Sequence, residues 1–219
     1  MKKTICLITA ALIVFSATVK TQNHLTKING SEPKPESMAF LPGSERVKPF
    51  FLGFHDTFAH YLWIRTVLYF GAQHQTDRDY AWLIQKLDII TRLHPHFFPA
   101  YEFAGLLVPE VCNNPDAARV IMERGMIHLS QERWQIPFYL GMLYFRYYDD
   151  PDRAAEYFTI ATQVPGAPSE KLGTLAASFY QRSGRKETGV ALLYFLYETA
   201  DSPEVKRHIE ERLVTLLEE

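Results

Sequence analysis

The chain has 219 residues, 47% of them hydrophobic, with 23 lysines and arginines against 25 acids for a formal net charge of -2. That permits one domain with a sizeable core. The balanced charge provides no basic stripe to neutralise phosphates, so no nucleic-acid partner is expected, and two cysteines, Cys6 and Cys112, make no disulfide framework.

Residues 1–20 read as a targeting segment. Lys2 and Lys3 precede the apolar run ICLITAALIVF, and Ser16-Ala17-Thr18 is a small-residue stretch that a signal peptidase could cut. The run is short for a membrane span, which needs about 20 residues. Two readings stay open: a cleaved signal peptide, or an uncleaved N-terminal anchor attached to the inner membrane. Both predict an exported body, on the periplasmic side in a bacterium. Residues 21–49 read as a flexible linker, because Asn29-Gly30, Pro33, Pro35, Pro42, Gly43 and Pro49 break any periodicity. Within it, Met38 to Leu41 is a small apolar island.

The ordered body is predicted over residues 50–219, as helix pairs. In the first, residues 54–95, Phe54, Phe58, Tyr61, Leu62, Arg65, Leu68 and Tyr69 recur at helical spacing up to Gly71. After a polar connection, Tyr80, Leu83, Leu87, Ile90 and Leu93 line a second helix that Pro95 stops. The second unit, residues 98–130, opens with Pro99 in a first helical turn. It turns near Pro109 to Asn114, then continues as NPDAARVIMERG. The third, residues 134–165, turns at Asp149-Asp150-Pro151-Asp152 and continues as DPDRAAEYFTIA, aligned almost residue for residue with the unit before it. An aspartate or asparagine before proline suits a helix start. The fourth, residues 169–200, has Ser169 as its expected N-cap, Ser183-Gly184 at the turn, and Leu192, Phe195 and Leu196 on its second helix. Ser202-Pro203 then opens a terminal helix over residues 203–219. Val205, Ile209, Leu213 and Leu216 or Leu217 line one face of it and charges the other, as a solenoid's polar-backed end requires.

Pro95, Ser130 and Pro165 end helical runs 35 residues apart, and a helix–turn–helix period in the mid-thirties is the mark of a helical solenoid. The third unit, with Leu140-Gly141, Tyr144, Ala154, Phe158, Ala161 and Pro165, resembles a tetratricopeptide (TPR) repeat. The second unit follows through Tyr101, Ala104-Gly105, Ala118, Met122 and Gly125, with Ser130 in place of proline. The resemblance covers residues 54–203. It implies an all-α, right-handed superhelical solenoid whose first helices line a concave groove that receives a peptide or a partner helix. Counted from Leu140-Gly141, the groove residues would be Gln135, Phe138, Met142, Phe145 and Arg146 in the third unit. The same count gives Glu102 and Leu106 in the second, Ala177, Tyr180 and Gln181 in the fourth, and Phe58, Tyr61 and Arg65 in the first. Aromatics and arginine make typical interface anchors. The groove lacks the cluster of lysine and asparagine that would clamp a C-terminal carboxylate.

Nucleophile elbows, C-x-x-C pairs, H-E-x-x-H zinc motifs and phosphate loops are all missing from the sequence. No catalytic residue, cofactor or metal site is expected. His94-x-His96 has no third ligand in register. His55, Asp56 and His60 form the least bland polar group and carry the weakest reading, an acid–base enzyme. The leading reading is a non-enzymatic interaction module or adaptor of the cell envelope. Its alternative is a structural subunit of an envelope complex, with no groove ligand.

Overall fold

The computed structural model describes residues 19–20, 53–73 and 80–218. The expected linker, and all of the expected leader except Val19 and Lys20, lie outside these residues. The chain divides into two units, Met1–Leu41 and Pro42–Glu219, and every helix named below belongs to the second. These are α1 (His55–Gln73), α2 (Ala81–Leu93), α3 (Phe98–Val111), α4 (Pro115–Leu129), α5 (Gln135–Tyr147), α6 (Pro151–Thr162), α7 (Ser169–Arg182), α8 (Lys186–Thr199) and α9 (Pro203–Glu218). Each packs chiefly against its neighbours in sequence, and α3 also meets α5 while α7 meets α9. The fold is an all-α solenoid of helix–turn–helix units.

Residues forbidden to continue a helix divide the pairs. Asn113 and Asp149, at equivalent places, take left-handed backbone with φ of 48° and 49°. The next residues, Asn114 and Asp150, accept hydrogen bonds at 3.0 Å from the backbone N–H of Ala117 and Arg153. Pro115 and Pro151 then occupy the first turn, where the missing donor costs nothing. In the fourth pair Gly184, with φ of 80°, takes the left-handed position.

Small residues let paired helices approach. A Cβ on Gly141 would stand 2.6 Å from the ring of buried Phe158, and one on Gly125 would stand 2.9 Å from the ring of Tyr101. On Gly189 it would meet the Ala177 backbone at 3.0 Å. Half-buried polar links tie successive pairs. Arg124 of α4 donates to Asp88 Oδ1 and Thr91 Oγ1 of α2, both at 2.5 Å, and Tyr139 of α5 donates to Glu102 of α3 at 3.0 Å.

Several local expectations need correction. Helix α1 runs two residues past Gly71. Helix α3 continues through Pro109 to Val111, because Val108 and Pro109 are both buried and their packing outweighs one lost backbone hydrogen bond. The N-cap of α7 is Pro168; Ser169 is its first residue and donates to Thr162 O at 2.7 Å, tying the helix to the end of α6. Phe195 of α8 faces out at 59% exposure, while Gly189, Leu193 and Leu196 make the buried face. The expectation of inner-membrane attachment is also overturned for the described chain: among the described residues no helix is long and apolar enough to cross a membrane.

Candidate functional site

Burial sets the register of the first helices. Ala100, Ile136 and Leu172 are buried at intervals of 36 residues, as are Ala104, Leu140 and Ala176, and Val108, Tyr144 and Tyr180. Ala59, Leu62 and Thr66 of α1 match Tyr101, Ala104 and Val108 after a longer connection. Ile209, Leu213 and Leu216 of α9 continue the buried series Gly173, Ala177 and Tyr180. The terminal helix therefore stands where the first helix of a fifth pair would stand.

This register sorts the expected groove residues. On α5, Met142 and Phe145 are 36% and 37% exposed. Phe145 packs edge-on against Phe179 at 4.7 Å, with the Arg182 guanidinium 5.8 Å from its ring. Phe138 is half-buried among Trp134, Tyr139 and Phe158, all within 6 Å, so most of its ring serves packing. Gln135 is half-buried, and its Oε1 is sealed without a hydrogen-bond partner. Exposed Arg146 pairs with Glu110 of α3 at 2.8 Å. On α3, Leu106 is 51% exposed, and Glu102 accepts from Tyr139.

The fourth unit departs from the expected count. From the third unit to the fourth the count stepped 35 residues, whereas burial repeats at 36. Ala177 and Tyr180 are accordingly core residues at 0% and 4% exposure. Thr174, Ser178, half-buried Gln181 and exposed Arg182 take the outward positions. On α1, Phe58 is half-buried, Tyr61 is exposed, and Arg65 donates to the Tyr61 hydroxyl at 3.4 Å. The register instead points to Ile64 and Leu68, 58% and 67% exposed; Leu68 was expected on the apolar helical face but not in the groove, and Ile64 was not singled out. Their outward place could have been found only by aligning the first helices on Ala59, Leu62 and Thr66.

One row across the first helices is thus apolar and accessible: Ile64, Leu106, Met142 and, beyond Ser178, Val214 of α9 at 49% exposure. Ser178 interrupts the row, which leaves three apolar side chains on α1, α3 and α5 and one on α9.

The histidines behave differently. Asp56 Oδ1 lies 3.1 Å from His94 Nδ1, without the alignment of a hydrogen bond. His60 Nδ1 sits 2.6 Å from the Asp56 carbonyl, and the His60, His94 and Phe97 rings meet edge to face. His96 turns to His128 instead, with ring centroids 5.7 Å apart. Asp56, His60 and His94 therefore tie α1 to the end of α2. Among the described residues no three histidine, cysteine or acidic side chains are arranged to hold a metal ion.

Burial raises the pKa of several tyrosines, Tyr147, Tyr148 and Tyr157 among them, and lowers that of one lysine. It pushes the Tyr139 hydroxyl up to about 12, reinforced by the hydrogen bond to Glu102, and Tyr101 up to about 12. It holds Lys86 down at about 8, with the charge of Arg65 acting in the same direction.

The chain matches no family model, no curated protein and no solved structure.

Proposed function

We propose that this chain is a TPR-like, non-enzymatic protein-interaction module whose first helices receive an apolar peptide or a partner helix. The observation that carries this reading is the row Ile64, Leu106, Met142 and Val214, each more than a third exposed at a repeat-equivalent position. A solenoid repeats one surface position at each step, so a ligand lying across the helices meets one side chain from each pair. Half-buried Phe138 and exposed Phe145 flank the row, and Arg146 and Arg182 supply charge at its edge. Among the expected anchors, Phe58, Tyr61, Arg65, Glu102, Gln135 and Gln181 form a rim around it. Tyr180 supports the surface from beneath. A bound helix would bury the row with apolar residues at i, i+3, i+4 and i+7.

The test is site-specific photo-cross-linking in cells, with the reactive residue at Met142 and a control at Ile127, which is 78% exposed on the second helix α4. Expected is one partner trapped from position 142, and its loss when Leu106→Glu is added. Trapping only from position 127 would refute a first-helix site and favour an assembly held through the second helices.

A further inference from the structure

A cavity of about 410 Å³ opens where the fourth pair meets the terminal helix. Phe195 and Leu196 of α8, with Val205 and Ile209 of α9, give it an apolar lining. It also touches the end of α6 at Gln163 and the start of α7 at Glu170. Its volume lies in the range of small-molecule sites, about 300–1,000 Å³. None of the outward row Ile64, Leu106, Met142 and Val214 lines it, so it is a separate site and does not depend on that row.

The repeat accounts for the space. Glu170 follows Trp134 by one register step of 36 residues, and Trp134 follows Phe98 by the same step. The Phe98 ring reaches the start of the next unit, where the Arg133 guanidinium lies 5.2 Å from its centre. Two steps on, the counterparts of Phe98 and Arg133 are Glu170 and Val205, and both line the cavity. Two units thus put a half-buried aromatic ring at this position, and the fourth puts a smaller carboxylate there.

Glu170 is the one charged side chain among the described residues that line the cavity. The ends of α6 and α8 and the starts of α7 and α9 all meet there, so the partial charges of the helix ends offset one another and the carboxylate sets the sign. His208 Nε2 stands 3.7 Å from Glu170 Oε1, too far for a hydrogen bond, and the histidine side chain is 60% exposed. A closer, fully charged donor would gain the short charge-assisted bond that His208 does not make.

We propose that this cavity binds a small organic ammonium ion, with its charge on Glu170 and its apolar body against Leu196, Val205 and Ile209.

The experiment uses the full chain and three probes: phenethylammonium, its neutral counterpart phenethyl alcohol, and capped lysine as a model of a protein side chain. Binding is followed by NMR through the methyl signals of Val205 and Ile209, assigned by their loss in Val205→Ala and Ile209→Val. Expected is a saturable shift with phenethylammonium, weakened about tenfold in Glu170→Gln, the worth of one hydrogen bond to a charged group. The alcohol should bind the native chain more weakly by a similar factor. Glu170→Trp, which restores the aromatic of the earlier units, should abolish the shift. Equal binding of ammonium and alcohol, binding unchanged in Glu170→Gln, or no saturable shift with any probe would each overturn the proposal. Capped lysine bound as tightly as phenethylammonium would assign the charge to a protein partner and overturn the small-molecule ligand. Glu170→Gln leaves the apolar lining intact, so it keeps the test decisive if Glu170→Trp folds poorly.

Discussion

Replacing Gly141 by alanine tests whether close helix approach holds the third pair together. The new Cβ would stand 2.6, 2.8 and 3.0 Å from three atoms of the Phe158 ring. That ring is fully buried, with Phe138 at 5.7 Å and Phe179 at 5.3 Å, so it has no free space to swing into. Forcing a methyl group into a well-packed core costs about 1–3 kcal/mol. Alanine returns up to about 1 kcal/mol in helix propensity. The net expectation is a loss of about 1 kcal/mol, and a Tm lowered by about 2–4 °C for a domain of this size. Thermal unfolding followed by circular dichroism reads it. Gly71→Ala is the matched control: the residue is helical in α1, and a Cβ there would meet nothing within 4 Å. Its Tm should hold or rise. Adding Phe158→Leu to Gly141→Ala should cost less than the sum of the two single changes, because the shorter side chain vacates the clash. A Gly141→Ala protein as stable as Gly71→Ala, or strictly additive with Phe158→Leu, would refute the argument.

Lys86 predicts a pH dependence. Its folded value of about 8 lies below the ordinary 10.5, so between these values the unfolded chain binds more protons and stability rises with pH. The difference in denaturation free energy between Lys86→Met and the native chain should be constant below about pH 8 and shrink in favour of the native chain towards pH 10.5. A difference that stays flat across that window would contradict the burial of a charged amine. For the caps, Asp150→Ala and Asn114→Ala should each lower stability by about 1 kcal/mol in urea denaturation. Substituting Asn for Asp150 should restore most of its loss, because the amide oxygen can accept the same bond from Arg153.

Much of the architecture was legible before any coordinates. The breaks between helices are local chemistry: a proline at the first position, a capping Asn114 or Asp150 before it, a glycine or proline at the end. Those residues act on their own backbone, so their meaning survives without knowledge of the neighbours. The pairing of NPDAARVIMERG with DPDRAAEYFTIA made the repeat visible for the same reason. Pro109 shows the limit of this logic. It looked like a helix end and instead sits inside α3, because the packing of Val108 and Pro109 outweighs a local rule.

The outward face was less legible, since which side of a first helix meets water depends on how successive pairs stack. Counting by 35 residues put Ala177 and Tyr180 on the surface; the true spacing of 36 buries both, while Gln181 keeps its expected outward place. One residue rotates a helical position by about 100°, enough to exchange core for surface. The same sensitivity hid Ile64 and Leu68, because α1 is joined to the rest by a longer connection. The amino-acid sequence by itself determined the helix–turn–helix units, their caps and their polar-backed end, all written in short-range spacing. Only the tertiary structure decided which side chains the stacked helices leave in water, and that Lys86 is buried with its ammonium against the Trp82 and Tyr69 rings. Such relations arise between elements, where packing rather than local propensity sets the geometry.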